Sequence, residues 1–188
     1  MALIKQGELE QRLGRVLTSE ESGAFSTLNA ATQLMVEDML GSSVEEATET
    51  DRYYDGGVQH LRLDPCTDVT AVRYVDDDQV IDDTLDTTDY TVEPVNKTLK
   101  TMIRYRAGKL SIGINNIKVT AKFSIWGDTR ARTIVKNAML DMLAQGIQNS
   151  AGSNEIVKES IEGYSVEYGQ MKETDSMKAL QTLISPMV

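Results

Sequence analysis

The sequence contains one cysteine and one histidine, Cys66 and His60, and these are the first candidates for catalysis or metal binding. A cysteine nucleophile needs a base beside it, so a Cys–His pair would have to be created by the fold across the intervening Pro65. A zinc site built on histidines or paired cysteines needs more of these ligands than the chain has. We therefore expect Cys66 to be a small buried residue and His60 to lie on the surface of a sheet.

A run of aspartates could supply oxygen ligands to a hard cation such as calcium. The run comprises Asp76, Asp77, Asp78, Asp82, Asp83, Asp86 and Asp89. A calcium loop needs alternating acids, a glycine inside the loop and a distant glutamate, but no glycine occurs between Gly57 and Gly108. The spacing favours a solvated acidic hairpin, and a calcium-stabilised binding domain is kept as an alternative.

Basic residues follow the acidic run. Lys100, Arg104 and Arg106 would project to one face of an extended strand, because side chains alternate along it. Such a face could bind nucleic-acid phosphates or form ion pairs across a sheet. A DNA-binding module using the basic strands 97–122 is therefore a second alternative. The glycine-containing turns have neither dinucleotide-binding nor P-loop spacing, and we predict that the protein is not an enzyme and has no cofactor.

The net charge of −10 disfavours nonspecific binding to nucleic acid, but the two signs are separated along the chain. Residues 37–93 contain 17 acids and 3 bases, whereas residues 94–136 contain 1 acid and 10 bases. The two segments could neutralise one another within a subunit or between neighbouring subunits. The sequence leaves both possibilities open.

Apolar spacing predicts an α+β chain, with a small helical bundle and an antiparallel β insertion. The helical core is expected over 1–49 and 127–188, and the β insertion over 50–126. Two helices open the chain, from residue 6 to about 17 and from a capping box at Thr18 and Glu21 to Leu40. A long helix near 129–149 and a short one in 171–184 follow, with extended segments at 156–161 and 164–168.

Two local patterns make finer predictions. The second helix carries an apolar stripe that we expect to be buried, formed by Phe25, Leu28, Thr32, Met35, Val36 and Met39. Within the β insertion, Pro65 is expected to end one strand before another begins at Val69. The N-terminal residues lack a signal-peptide pattern, and no stretch approaches the roughly 18 apolar residues of a membrane span, so we expect synthesis in a reducing cytoplasm.

Four passages together resemble the head-to-tail connector, or adaptor, proteins of tailed bacteriophages. The passages are Leu9–Thr18 running into the helix through Leu40; Arg52–Gly56 followed by Leu61–Leu63 and Val69–Val72; Trp126-Gly127 before the helix from Thr129; and Glu159–Tyr168. They sample most of the chain, in the order expected for that family.

The resemblance implies a noncatalytic virion protein at the head–tail interface, assembled in the host cytoplasm. Such proteins form a homo-oligomeric ring, commonly twelvefold, below the portal protein, and the ring joins the capsid to a tail or stopper protein. DNA passes through the channel without specific recognition, and no membrane is involved.

A ring needs two different complementary faces on each subunit. The candidate subunit-interface residues are Lys100, Arg104 and Arg106 on one side and Asp76, Asp77, Asp78 and Asp82 on the other. The candidate portal-docking residues are Leu180, Leu183 and Ile184 on the last helix. The alternative for these three is that they close the subunit's own helical bundle.

Overall fold

The computed structural model describes residues 3–76, 78–151 and 174–184, without the side chains of 149–151 and 184. The elements of these residues are, in order, α1 (Gln6–Leu13), α2 (Ser19–Leu40), β1 (Thr50–Tyr54), β2 (His60–Val75), β3 (Ile81–Thr84), β4 (Tyr90–Glu93), β5 (Lys100–Tyr105), β6 (Ile117–Lys122), α3 (Thr129–Ala151) and α4 (Asp175–Ile184). The predicted α+β class with an antiparallel β insertion is confirmed. The segments 156–161 and 164–168, expected to be extended, lie outside the described residues.

Contacts divide the chain into two compact units. The helical unit comprises Met1–Val36 and Thr133–Thr182, and the β unit comprises Glu37–Arg132 with the residues from Leu183. The sequence-based boundaries of the β insertion stay a prediction. Among the described residues, no helix combines the length and the apolar character needed to cross a bilayer.

In the helical unit, α1 ends earlier than its apolar spacing predicted. Gly14 adopts a left-handed conformation with φ of 69°, and its amide donates to the carbonyl of Gln11. A glycine in this conformation is a common C-terminal cap, so the helix ends before the apolar residues that follow. The capping box of α2 is confirmed, since Thr18 N donates to Glu21 Oε2 at 2.8 Å and Glu21 N donates to Thr18 Oγ1 at 3.2 Å.

The expected apolar stripe of α2 is largely wrong. Leu28, Met35 and Met39 are 37, 49 and 40 % exposed, and of the six predicted residues only Val36 is fully buried. The helix also buries Asn29 and Leu40, which the spacing did not predict. The physical reason is that residues 22–36 contain no charged side chain. With apolar residues around much of the helix, spacing alone did not fix which face is buried.

The β unit contains a six-stranded antiparallel sheet of order β1-β6-β2-β5-β4, with β3 also paired to β2. β2 runs through Pro65 as a single strand, so the predicted break there is wrong. Its pairing with β5 shifts register between Arg62 and Cys66, and Pro65 falls in that irregularity, where a strand tolerates proline. The regular alternation of β6 places Ile117, Val119 and Ala121 in the core.

Candidate interaction surfaces

Of the three basic candidates, Lys100 and Arg104 lie on β5 and Arg106 follows it, and all three have partners within the chain. Lys100 Nζ donates to the carbonyls of Pro94 at 2.8 Å and Val95 at 3.2 Å. Arg104 forms an ion pair with Glu93 of β4 at 3.1 Å, and Arg106 Nε donates to Thr91 Oγ1 at 3.0 Å. Arg104 and Arg106 remain exposed, so both are accessible to a further partner.

Asp76 and Asp78 lie in the turn between β2 and β3, and Asp82 lies in β3. Asp76, Asp78 and Asp82 are exposed, and Asp77 lies outside the described residues. Asp76 Oδ1 accepts from the amides of Asp78 at 3.1 Å and Val80 at 2.8 Å, which shapes the turn. Among the described residues, none of these carboxylates forms an ion pair. The turn is therefore a solvated acidic hairpin, as its spacing indicated.

The acidic and basic segments meet within the chain at three places in the sheet. Asp51 pairs with Lys118 at 2.8 Å, Asp68 pairs with Lys122 at 3.0 Å, and Glu93 pairs with Arg104. The hydrogen bond from Lys118 lowers the pKa of the Asp51 carboxyl and raises the pKa of the lysine. Part of the charge separation is thus neutralised inside one subunit, and the acidic hairpin is left out of that pairing.

Arg52 connects the end of α2 to the sheet within the β unit. Its Nη1 donates to Asp64 Oδ2 at 2.6 Å and to the carbonyl of Gly41, and its guanidinium lies 4.1 Å from the centre of the Phe123 ring. Tyr54 also donates to Asp64 Oδ2, at 3.2 Å. Gly41 has φ of 65°, and a Cβ there would lie 2.7 Å from Asp64 Oδ1. This arrangement is a structural junction rather than a reactive site.

Cys66 and His60 are placed as the sequence predicted. Cys66 is fully buried, and burial together with the charge of Asp64 raises the pKa of its thiol to about 12. Its Sγ donates to the carbonyl of Lys100 at 3.7 Å. His60 is exposed at the start of β2, opposite Arg104 of β5. In the described ranges no three His, Cys, Asp or Glu side chains form a group suited to a metal ion.

Sequence reasoning missed an apolar surface on the loop between β5 and β6. Ile112 and Ile114 are 92 and 81 % exposed. Their loop is fixed to the turn after β1 because Gly56 N donates to Gly113 O at 2.9 Å and Asn115 N donates to Asp55 Oδ1 at 2.8 Å. The available signal was a pair of isoleucines among glycine and asparagine residues, outside any regular pattern.

Leu180 and Leu183 of α4 differ in exposure. Leu180 is 1 % exposed, so its side chain is covered within the chain. Leu183 is half-buried, and the side chain of Ile184 lies outside the described residues. Among the described side chains of the three candidate portal-docking residues, that of Leu183 is partly exposed and could contact a partner.

Comparisons with known proteins identify similar solved structures only. No family model matches the sequence, and no curated protein matches it. A chain of the neck of an empty gene transfer agent particle, computed with C6 symmetry, is 15 % identical and matches with a TM-score of 0.48 over 98 % of this chain and 88 % of that chain. A chain of the virion of a native gene transfer agent particle is 16 % identical, with a TM-score of 0.49 and the same coverage. Similarity at this level carries no argument about activity or partners.

Proposed function

We propose that the chain is a noncatalytic structural protein of a phage-like virion, a head-to-tail connector that forms a ring below the portal protein. The ring would join the capsid to a tail or stopper protein and surround the DNA channel at the head–tail interface. Support comes from the four connector-like sequence passages. Among the described residues, these passages lie in α1 and α2, in β1 and the turn after it, in β2, and at the start of α3.

One observation carries the proposal: two of the connector-like passages occupy positions that shape the fold. Gly56 ends the passage that begins at Arg52, and a Cβ at this position would lie 1.9 Å from the Ser111 carbonyl oxygen. At the second passage, the Arg132 guanidinium stacks 3.8 Å from the centre of the Trp126 ring. The close approach at Gly56 requires a glycine, and the Trp126 ring is used in a specific contact, so both passages contribute to the fold, which supports relatedness over a chance match.

The surfaces support a binding role without catalysis. Cys66, the residue best suited to act as a nucleophile, is buried with a raised thiol pKa, and a thiolate is the reactive form. The proposed contacts between subunits join Asp76, Asp78 and Asp82 of one copy to the exposed Arg104 and Arg106 of the next. Lys100 would contribute to the positive potential of that face.

The decisive experiment measures the mass of the purified chain alone and after mixing with the portal protein of the same virion. A complex containing a ring of this chain on the portal is the expected result. Replacement of Arg104 and Arg106 by Glu should weaken the ring while the monomer stays folded, and reversal of the acidic partners should partly restore it. If rings form normally when both arginines are replaced by Glu, these residues do not lie in the subunit interface.

The same preparation tests the two alternatives. A salt-sensitive shift of duplex DNA by the isolated protein would favour a DNA-binding module, since phosphate contacts weaken steeply as salt rises. A fall in melting temperature on adding a chelator would favour a calcium-stabilised binding domain. Either result, without any association with the portal, would replace the connector proposal.

A further inference from the structure

Four exposed apolar side chains lie at the same end of the sheet in the β unit. Val80 and Ile81 of the acidic hairpin are 60 and 49 % exposed, and Ile112 and Ile114 of the β5–β6 loop are more exposed still. Both segments are held by the last residues of β2: Val75 pairs with Ile81 on one side, and its amide donates to the Asn116 carbonyl at 3.0 Å on the other. We call this surface the apolar tip. Single exposed apolar residues are ordinary, but a cluster of this kind marks a contact surface.

The tip is fixed in shape before any partner arrives. Besides the bonds to Asp55 and Gly56, Asn116 Nδ2 donates to the Ser111 carbonyl at 3.0 Å, and Ser111 N donates to Tyr74 Oη at 3.3 Å. Leu110, at the base of the loop, is 1 % exposed and anchors it in the core. A loop held in this way loses little conformational entropy on binding, so its isoleucines can serve as anchors.

Charge around the tip restricts what can cover it. The hairpin contributes the exposed carboxylates of Asp76, Asp78, Asp82 and Asp83, which have no ion-pair partner among the described residues. These charges repel nucleic-acid phosphates and anionic lipid headgroups. They also repel a second tip, which disfavours a symmetric tip-to-tip dimer. The complementary surface must combine apolar area with positive charge.

The same chain carries such a surface beside β4 and β5. Val95 is 63 % exposed in the turn between the two strands, and Lys97 is exposed in the same turn with no ion-pair partner among the described residues. Arg104 and Arg106 extend the positive charge along β5, with the side chain of Arg104 49 % exposed. We call this set the basic strip.

We propose that the apolar tip of one subunit docks on the basic strip of a second copy of this chain. Because the two surfaces differ, the contact is heterologous and leaves a free tip and a free strip at the ends, as ring growth requires. Ile112 and Ile114 supply the apolar anchors, and the hairpin carboxylates set the orientation. The inference rests on the proposed ring and names its contact surfaces.

Cross-linking from the tip tests the contact directly. Cys66 is buried with its thiol pKa raised, so an Ile112→Cys variant can be labelled selectively with benzophenone maleimide. Labelled and isotopically heavy unlabelled chains are mixed at about 1 mM, where a contact with a Kd near 1 mM is substantially populated. Illumination should join position 112 to residues 94–106 of the heavy chain. Val16→Cys, at a residue 75 % exposed in the helical unit, is the matched control and should not react there.

Substitutions provide the second readout, by sedimentation velocity at matched concentration. Ile112→Ser with Ile114→Ser should weaken self-association about tenfold or more, as loss of two interface anchors does, whereas Val16→Ser should leave it unchanged. Asp78→Lys with Asp82→Lys should weaken it as well, and circular dichroism should show that all variants are folded. Cross-links absent or located outside the strip would overturn the inference, as would association that survives loss of both isoleucines.

Mass spectrometry of purified particles separates this inference from the function on which it rests. If the chain is absent from the particles, the proposed connector function is wrong, whether or not the chain self-associates in solution. A chain present in the particles whose label at position 112 reacts with another protein, with DNA or with nothing leaves the function standing and removes the tip-to-strip contact.

Discussion

Arg52 and Asp64 form an ion pair of 2.6 Å that joins neighbouring parts of the β unit, with the arginine also bonded to the carbonyl at the C-terminus of α2. The guanidinium also lies over the Phe123 ring, 4.1 Å from its centre, and the side chains of the pair are 34 and 40 % exposed. The Arg52 side chain thus makes a hydrogen bond to a backbone carbonyl, an ion pair with a carboxylate and a cation–π contact with an aromatic ring. Its position makes the junction sensitive to substitution.

Arg52→Met should lower the free energy of unfolding by about 1–2 kcal/mol, because it retains the apolar stem but leaves the Gly41 carbonyl without the arginine donor and Asp64 with the hydroxyl of Tyr54 alone. Urea denaturation measures the change. Lys122→Met is the matched control, since its pair with Asp68 is exposed and its loss should have little effect. Equal losses in the two variants would contradict the role given to Arg52.

Gly56→Ala should destabilise the β unit by about 1–3 kcal/mol or more, because the added Cβ would meet the Ser111 carbonyl oxygen at 1.9 Å. Gly23→Ala is the control: it lies inside α2 with no atom within 4 Å of the added Cβ. There the same change should raise stability by about 0.5–1 kcal/mol, since alanine favours a helix over glycine. Thermal unfolding of both variants measures the contrast, and a neutral Gly56→Ala would refute the tight approach.

Acid should weaken the helical unit partly through Glu21. The hydrogen bonds from Arg15 and Thr18 lower the pKa of its carboxyl from 4.5 to about 2. A folded-state pKa below the unfolded value means that the stabilisation is complete above the unfolded pKa and disappears as pH falls toward 2. Melting temperature between pH 2 and 6 should therefore fall less steeply in Glu21→Gln than in the wild type. Parallel curves would show that this pair does not contribute.

Local patterns predicted the fold well where neighbours in sequence decide the structure. The capping box of Thr18 and Glu21 needs residues only three apart, and the strict alternation from Ile117 to Lys122 is sufficient to indicate a half-buried strand. Pro65 misled the analysis because a proline ends a regular strand but is tolerated at an irregularity, and only the paired strand reveals one.

The candidate site was less predictable because it depends on contacts between distant residues. Sequence showed that acids and bases are segregated, but the register that brings Asp51 to Lys118 comes from pairing between β1 and β6. The isoleucines of the apolar tip were missed for a related reason. Ile112 and Ile114 would fit a buried strand equally well, and the loop is exposed because Asp55 and Gly56 hold it there.

The two leucines of α4 should separate folding from docking. Leu180 is 1 % exposed, so Leu180→Ala should lower the free energy of unfolding by about 2–5 kcal/mol, through lost burial and the cavity left behind. Leu183 is half-buried, so Leu183→Ala should cost much less stability. If α4 contacts the portal protein, as the sequence analysis expects, Leu183→Ala should weaken that association although the chain stays folded. Urea denaturation and a portal-binding titration of both variants test this separation. Unchanged portal binding by folded Leu183→Ala would remove Leu183 from the portal contact.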